Sequence, residues 1–239
     1  MFLFPELIGV FSPGFLRAGN VVETCCLMMF STSLITLIVA AKNRQQPPYM
    51  THLSLYLAAS AVQTSIFIFF VERTYFGFYI SPSFLKKTIV WFLVAETMAV
   101  YYFFYKNPIV SKAVRIILPC ALVSFYVIIW RMLHPALNQK VSINDTYFVE
   151  ALYILLPCFS YFIQLFKTPP ILQLTNEPSF WVTSGLTIFF LLSLPMFYIS
   201  KHFETDNLSV ISNSSIYFGY TLVFLFILRA YLCKPKVTR

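Results

Sequence analysis

Seven runs of about 18 to 23 mostly apolar residues, each closed by a polar or helix-breaking stretch, set what this chain can fold into. At 1.5 Å per residue, an α-helix of that length covers a hydrocarbon core of about 30 Å. The runs predict helices at 20–41, 51–72, 86–105, 112–133, 146–167, 178–200 and 207–233. The breaks carry turn chemistry: Gln45, Gln46, Pro47 and Pro48 in the first, Gly77 and Pro82 in the second, Asn107 and Pro108 in the third. Pro135 and Asn138, then Pro169, Pro170 and Asn176, then Asp206 and Asn207 serve the remaining three.

A water-soluble reading fails on the polar side. Only 11% of the 239 residues are charged and 59% are apolar, against roughly 25% charged in an ordinary soluble domain. The expected fold is therefore all-α, a polytopic seven-transmembrane-helix bundle over residues 20–233, with the lipid bilayer as its solvent. Residues 1–19, with Phe2, Phe4, Leu7, Ile8 and Phe11, are expected to lie along the interface. They lack the basic n-region of a cleavable signal peptide. Residues 234–239 form a short basic tail. Too little length remains for a separate soluble domain of the usual 50 or more residues.

Orientation follows from Lys and Arg. The first, third and fifth breaks and the tail hold ten of them, including Lys42, Lys106, Lys112, Lys167 and Lys234, and the other side holds seven. The positive-inside rule then sets the N-terminus outside and the C-terminus in the cytoplasm. The net charge of +8 is scattered over helix ends, so nucleic acid is not the expected partner; anionic headgroups are.

Glu96 is the residue most open to a functional reading. It lies near the middle of the third span among Trp91, Phe92, Leu93, Met98 and Val100. An ionised carboxylate there costs on the order of 3 kcal/mol, and protonating a glutamate at pH 7 costs roughly 3.7 kcal/mol. The two costs are close, so hydrogen-bond partners decide. Glu96 is expected to face the bundle interior, often neutral, with Gln63, Ser184, Ser212, Asn213, Ser214 or Tyr101 as its neutral donors. It is either a polar centre that binds a ligand or couples to protons, or an interhelical hydrogen bond that fixes packing.

Glu150, with Asp145 and Thr146 before it, is expected near the outer face, capping the fifth helix or touching a ligand. Trp181 is the other expected outer-face contact. The polar start of the seventh span, Asn207 and Ser209 and then Ser212, Asn213, Ser214 and Ser215, predicts close helix packing or a lined cavity. Pro119, Pro157 and Pro195 fall inside spans, which lipid-embedded helices tolerate when neighbours satisfy the freed carbonyl.

Several functions are excluded by the residue types. No Lys lies deep in the seventh span to hold retinal. His52, His134 and His202 all fall at helix ends, away from any buried haem. Cys25, Cys26, Cys120, Cys158 and Cys233 have neither disulfide nor zinc spacing, and no phosphate-binding Gly loop or HExxH is present. No cofactor, metal site or catalytic set is expected.

Over roughly residues 25 to 233, the third-span core WFLVAETMAVYYFFY, the fifth-span start YFVEALYILLPCFSYFIQLFK and the sixth-helix entry EPSFWVTSGLTIFF resemble those of small seven-helix membrane proteins of Bacteroidetes-type bacteria. Pro178, Phe180, Trp181, Ser184 and Gly185 match that family's Pro-x-Phe-Trp and small pair, and Asn213 its polar position in the last helix. The resemblance implies a sensory or receptor-like role in a bacterial inner membrane; some members carry kinase or regulator modules, whereas here only the basic tail follows the last span. The expected function is thus a non-enzymatic receptor-like or accessory subunit acting through a protein partner at the cytoplasmic face. The alternative is a small proton-coupled transporter using Glu96 at the midplane, although no internal repeat stands out. An intramembrane enzyme would have only Glu96 with Asn213 or Ser212 to work with.

Overall fold

The computed structural model describes the backbone over residues 15–43, 46–75, 82–133, 143–167, 174–202 and 206–233. Side chains are described over 24–43, 46–66, 88–131, 147–167, 174–198 and 214–233, except at 89, 175 and 197. Residues 1–14 of the interfacial segment expected at 1–19, the basic tail and the side chains of Asp145, Thr146, Ser212 and Asn213 lie outside these residues, while 15–19 are helical in α1.

Among the described residues there are seven α-helices and no strand: α1 Phe15–Lys42, α2 Leu53–Tyr75, α3 Pro82–Lys106, α4 Lys112–Leu133, α5 Ile143–Lys167, α6 Pro178–His202 and α7 Asp206–Leu232. Short 3₁₀ turns at Pro48–Met50 and Leu174–Asn176 precede α2 and α6. The order matches the seven runs. Two starts come earlier than the hydropathy suggests: α3 opens on Pro82, whose fixed φ suits a first helical position, and α5 opens at Ile143. Helix α1 also extends back to Phe15 through Arg17 and Asn20. Helices α4, α5 and α6 run without a break through Pro119, Pro157 and Pro195.

Each helix packs on the next, α7 packs on α1, and α3 also meets α5, so the helices form a closed ring. Burial inverts the soluble pattern. Leu55, Trp91, Ile116, Val123, Trp130, Phe166 and Leu192 point outward. Ser33, Thr36, Ser60, Gln63, Glu96, Thr97, Glu150 and Thr183 are inside. Water would penalise so continuous an apolar exterior, because soluble monomers rarely expose patches beyond a few hundred Å². Lipid tails do not. Five helices, through the segments Thr24–Lys42, Lys112–Arg131, Tyr147–Lys167, Pro178–Met196 and Ser214–Leu232, are long and apolar enough to cross a membrane.

Interior hydroxyls are mostly satisfied by their own helix. Thr64 donates to Ser60 O, Thr97 to Leu93 O and Thr221 to Tyr217 O, each four residues back. Thr36 donates both to Thr32 O and across the seam to Phe224 O at 3.2 Å. The α6–α7 contact is closer still. A Cβ on Gly185 would lie 2.7 Å from the Phe226 Cβ, and one on Gly219 would lie 2.6 Å from the Phe189 ring. Each helix thus offers a glycine to the other's phenylalanine. A groove of about 300 Å³ runs along this seam, lined by Gly185, Phe189, Ser193, Ile216, Gly219 and Phe226 among others.

Candidate functional site

Glu96 sits on the inward face of α3 with Phe92, Leu93, Val100 and Phe103, opposite the outward Trp91 and Met98, and is fully buried. Its carboxyl accepts two hydrogen bonds. Tyr56 of α2 donates its hydroxyl to Oε1 and Tyr220 of α7 donates to Oε2, both at 3.1 Å. One side chain therefore joins three helices. The interior orientation expected from the sequence is as observed, but the donors differ. Tyr101 is stacked on Tyr105 instead, and Gln63 Oε1 and Ser214 Oγ are buried with no partner among the described residues. Ser184 is half-buried on α6 beside Gly185.

The depth match behind the Tyr220 contact is visible in the helix bounds. Helices α3 and α7 both enter from the less basic end, and Glu96 and Tyr220 each lie fourteen residues past the first residue, Pro82 and Asp206. Equal rise puts them at one level. Four aromatic rings close a circuit at this level: Tyr56 to Phe92 at 6.0 Å, Phe92 to Tyr220 at 6.0 Å, Tyr220 to Phe224 at 6.3 Å and Phe224 to Tyr56 at 5.6 Å. Phe189 of α6 backs Tyr220 at 4.4 Å.

Glu150 departs from its expected place. It is fully buried rather than at an outer face. Because α5 begins at Ile143, Glu150 lies two turns in instead of one. Neither carboxyl oxygen has a hydrogen-bond partner among the described residues, so Glu150 caps no first-turn N–H. Glu96 and Glu150 are thus both buried inside the bundle, one bonded and one not.

Trp181 also departs from an outer-face role. It follows the start of α6, which enters from the Lys167 end of the bundle, and its ring lies under the Arg229 guanidinium at 5.5 Å, beside Phe226 at 5.9 Å. Glu150 and Trp181 therefore stand in opposite halves of the molecule.

That basic end holds a second polar network, which sequence reasoning did not single out. Tyr49 Oη and Ser179 Oγ both donate to Glu177 Oε1 at 3.0 Å, and Tyr161 Oη is 3.1 Å from Ser179 Oγ. Asn43 and Gln46 donate to Tyr231 O, and Tyr231 Oη donates to Met50 O at 2.8 Å. Arg115 closes the next connection by donating to Asn107 O and Pro108 O.

Burial, and then the Glu177 charge, push the Tyr49 phenol above its ordinary range. A group that holds its proton more tightly when folded stabilises fully below its unfolded pKa of about 10 and loses that contribution as pH rises past it. Tyr49→Phe is expected to flatten the alkaline limb of a stability-against-pH curve. An unchanged slope above pH 10 would count against a stabilising Tyr49–Glu177 bond.

Among the described residues no cluster of three or more His, Cys, Asp or Glu could hold a metal ion. No protein-family model, curated protein or solved structure matches this chain.

Proposed function

We propose that the chain is a seven-span protein of a bacterial inner membrane, N-terminus outside and C-terminus cytoplasmic, acting without catalysis as a receptor-like or accessory bundle through a protein partner at its cytoplasmic face. Five helices carry the membrane assignment directly. Helices α2 and α3 complete the same ring between α1 and α4, which supports their crossing as well. The basic residues gathered at the Lys42 end support a cytoplasmic position for that end.

The observation that carries the receptor-like reading is the Glu96 carboxyl bridging Tyr56 and Tyr220. Any event that alters Glu96 changes the bonds between α2, α3 and α7. Helix α7 also carries Tyr231, bonded to the α1–α2 connection at the basic end. A displacement of α7 thus has a physical route from the buried centre to the face where a partner would dock.

Gentle detergent extraction from native membranes, followed by mass spectrometry, tests this reading. A stoichiometric companion protein is expected. A protein that purifies alone and moves a solute or protons in liposomes overturns it. The second reading, a proton-coupled carrier, draws on Glu150 as a second fully buried carboxyl, unpartnered among the described residues; for it, Glu96→Gln and Glu150→Gln would each abolish pH-gradient-driven uptake.

A further inference from the structure

The groove between α6 and α7 continues toward the basic end through Arg229 and Trp181. On α7 the lining residues Phe218, Leu222 and Phe226 recur at helical intervals, and Arg229 takes the next place on that face. On α6, Leu192, Ile188 and Gly185 recur in the same way, and Trp181 comes next. Arg229 is exposed, with its guanidinium 5.5 Å over the Trp181 ring, and that ring lies 5.9 Å from Phe226. One stripe thus runs from a cation on an aromatic ring into an apolar furrow.

The stripe has the length and polarity of a lipid. Helices α6 and α7 are both long and apolar enough to cross a membrane, and Ile188, Leu192 and Phe218 face outward, so the furrow opens on acyl chains. It covers eleven residue steps on each helix, Gly185 to Met196 and Ser215 to Phe226, or about 16 Å of axis. One leaflet of hydrocarbon is about 15 Å deep. Arg229 lies nine residues from Tyr220, which stands next to the middle of α7. That is about 14 Å of rise, which sets the guanidinium at the edge of the hydrocarbon, where headgroups begin.

Width and charge select the occupant. A helix with its side chains is about 10 Å across and would fill roughly 1,200 Å³ over this length. The groove holds about 300 Å³, so a second copy or a partner helix cannot sink into it, whereas one hydrocarbon chain can. A guanidinium that gives its face to a ring keeps its N–H edge for an acceptor, and its fork matches a phosphate. Glu177, the acid at this end, already accepts from Tyr49 and Ser179.

We infer that the α6–α7 seam binds an anionic phospholipid, with its phosphate on Arg229 and one acyl chain in the groove from Phe226 toward Ser215. The chain lies against Phe189, whose ring backs Tyr220 at 4.4 Å. The inference goes beyond the receptor-like reading and rests only on the membrane assignment of these two helices.

Replacing Trp91 and Trp130, both exposed, by Phe leaves Trp181 as the sole tryptophan. The full chain in mild detergent is titrated with phosphatidylglycerol and with phosphatidylcholine, each carrying one dibrominated chain that quenches a nearby indole. Half-quenching is expected at about five- to tenfold less phosphatidylglycerol, the worth of one cation beside the phosphate. Arg229→Gln, a change at an exposed position, should erase that preference, and Arg229→Lys should keep most of it. Leu222→Phe fills the groove and should weaken quenching by both lipids. Inorganic phosphate, at ionic strength matched with sodium chloride, should displace neither.

Equal half-quenching by the two lipids overturns the inference, as do displacement by phosphate, a kept preference in Arg229→Gln and undiminished quenching in Leu222→Phe. A lipid-free dimer that Leu222→Phe dissociates also overturns it, because the groove then belongs to a second copy. Should Leu222→Phe not fold, the two lipids and the Arg229 pair decide by themselves. No partner protein is present, so the outcome is independent of the receptor-like reading.

Discussion

Glu96→Ala is expected to lower the stability of the bundle by about 2 to 4 kcal/mol, measured by reversible unfolding in mixed micelles. Two terms make up that loss. The Tyr56 and Tyr220 hydroxyls lose their shared acceptor, each at a cost of about 1 kcal/mol, near the usual range for hydrogen bonds inside membrane bundles. The removed side chain also leaves a cavity in a fully buried site, worth about 1 kcal/mol or more. Glu96→Gln keeps the volume and one acceptor oxygen, but turns an NH₂ toward the second hydroxyl. Its expected cost is about 1 kcal/mol. Tyr56→Phe and Tyr220→Phe should each cost about 0.5 to 1.5 kcal/mol, and combining either with Glu96→Ala should be clearly less than additive. An alanine variant as stable as the parent would show that the triad contributes nothing to the bundle.

The two glycines at the α6–α7 seam should respond differently to the same kind of second change. Gly185→Ala brings a methyl to 2.7 Å from the Phe226 Cβ, an atom fixed to its backbone. No rotamer relieves that contact, so the helices must separate, at a cost of about 1 to 3 kcal/mol. Phe226→Ala keeps its Cβ and is expected not to rescue it. Gly219→Ala instead strikes the Phe189 ring at 2.6 and 2.9 Å. Truncating that ring in Phe189→Ala removes the obstacle, so Gly219→Ala should cost much less in the Phe189→Ala background than in the parent protein. Rescue of Gly185→Ala by Phe226→Ala, or failure of Phe189→Ala to relieve Gly219→Ala, would contradict this packing. Phe189 also backs Tyr220, so Gly219→Ala is expected to disturb the Glu96 bonds as well.

The seven helices were legible as apolar runs separated by breaker residues, and five of them are long and apolar enough to cross a bilayer. Their ends were less so. Pro82 marks a helix start rather than a loop, and Ile143 opens α5 before the polar residues expected to introduce it. That shift of less than one turn moved Glu150 from an interfacial cap to the interior. Glu96 was identifiable from its depth alone. Its partners were not, because tyrosines in membrane proteins are assigned to the headgroup belt by default. Glu96 and Tyr220 match in position only from the observed starts Pro82 and Asp206, not from the starts at 86 and 207 that hydropathy gave. Tyr56 gave no signal, since it lies only three residues into α2 and reaches the centre because the Pro48–Met50 turn is itself tucked inside the bundle. Trp181 could have been assigned to the correct half from chain direction, since α6 follows the Lys167 end.

The tie between the first connection and the last helix bears on how the protein is made. Synthesis delivers α1 and α2 to the bilayer first and α7 last. Asn43 and Gln46 donate to Tyr231 O and Met50 O accepts from Tyr231 Oη, while Thr36 makes its cross-helix bond to Phe224 O, so these bonds wait for α7. Every intermediate on the ribosome therefore carries unmet polar groups at one end of an open horseshoe, and a product prematurely terminated before Phe224 keeps them.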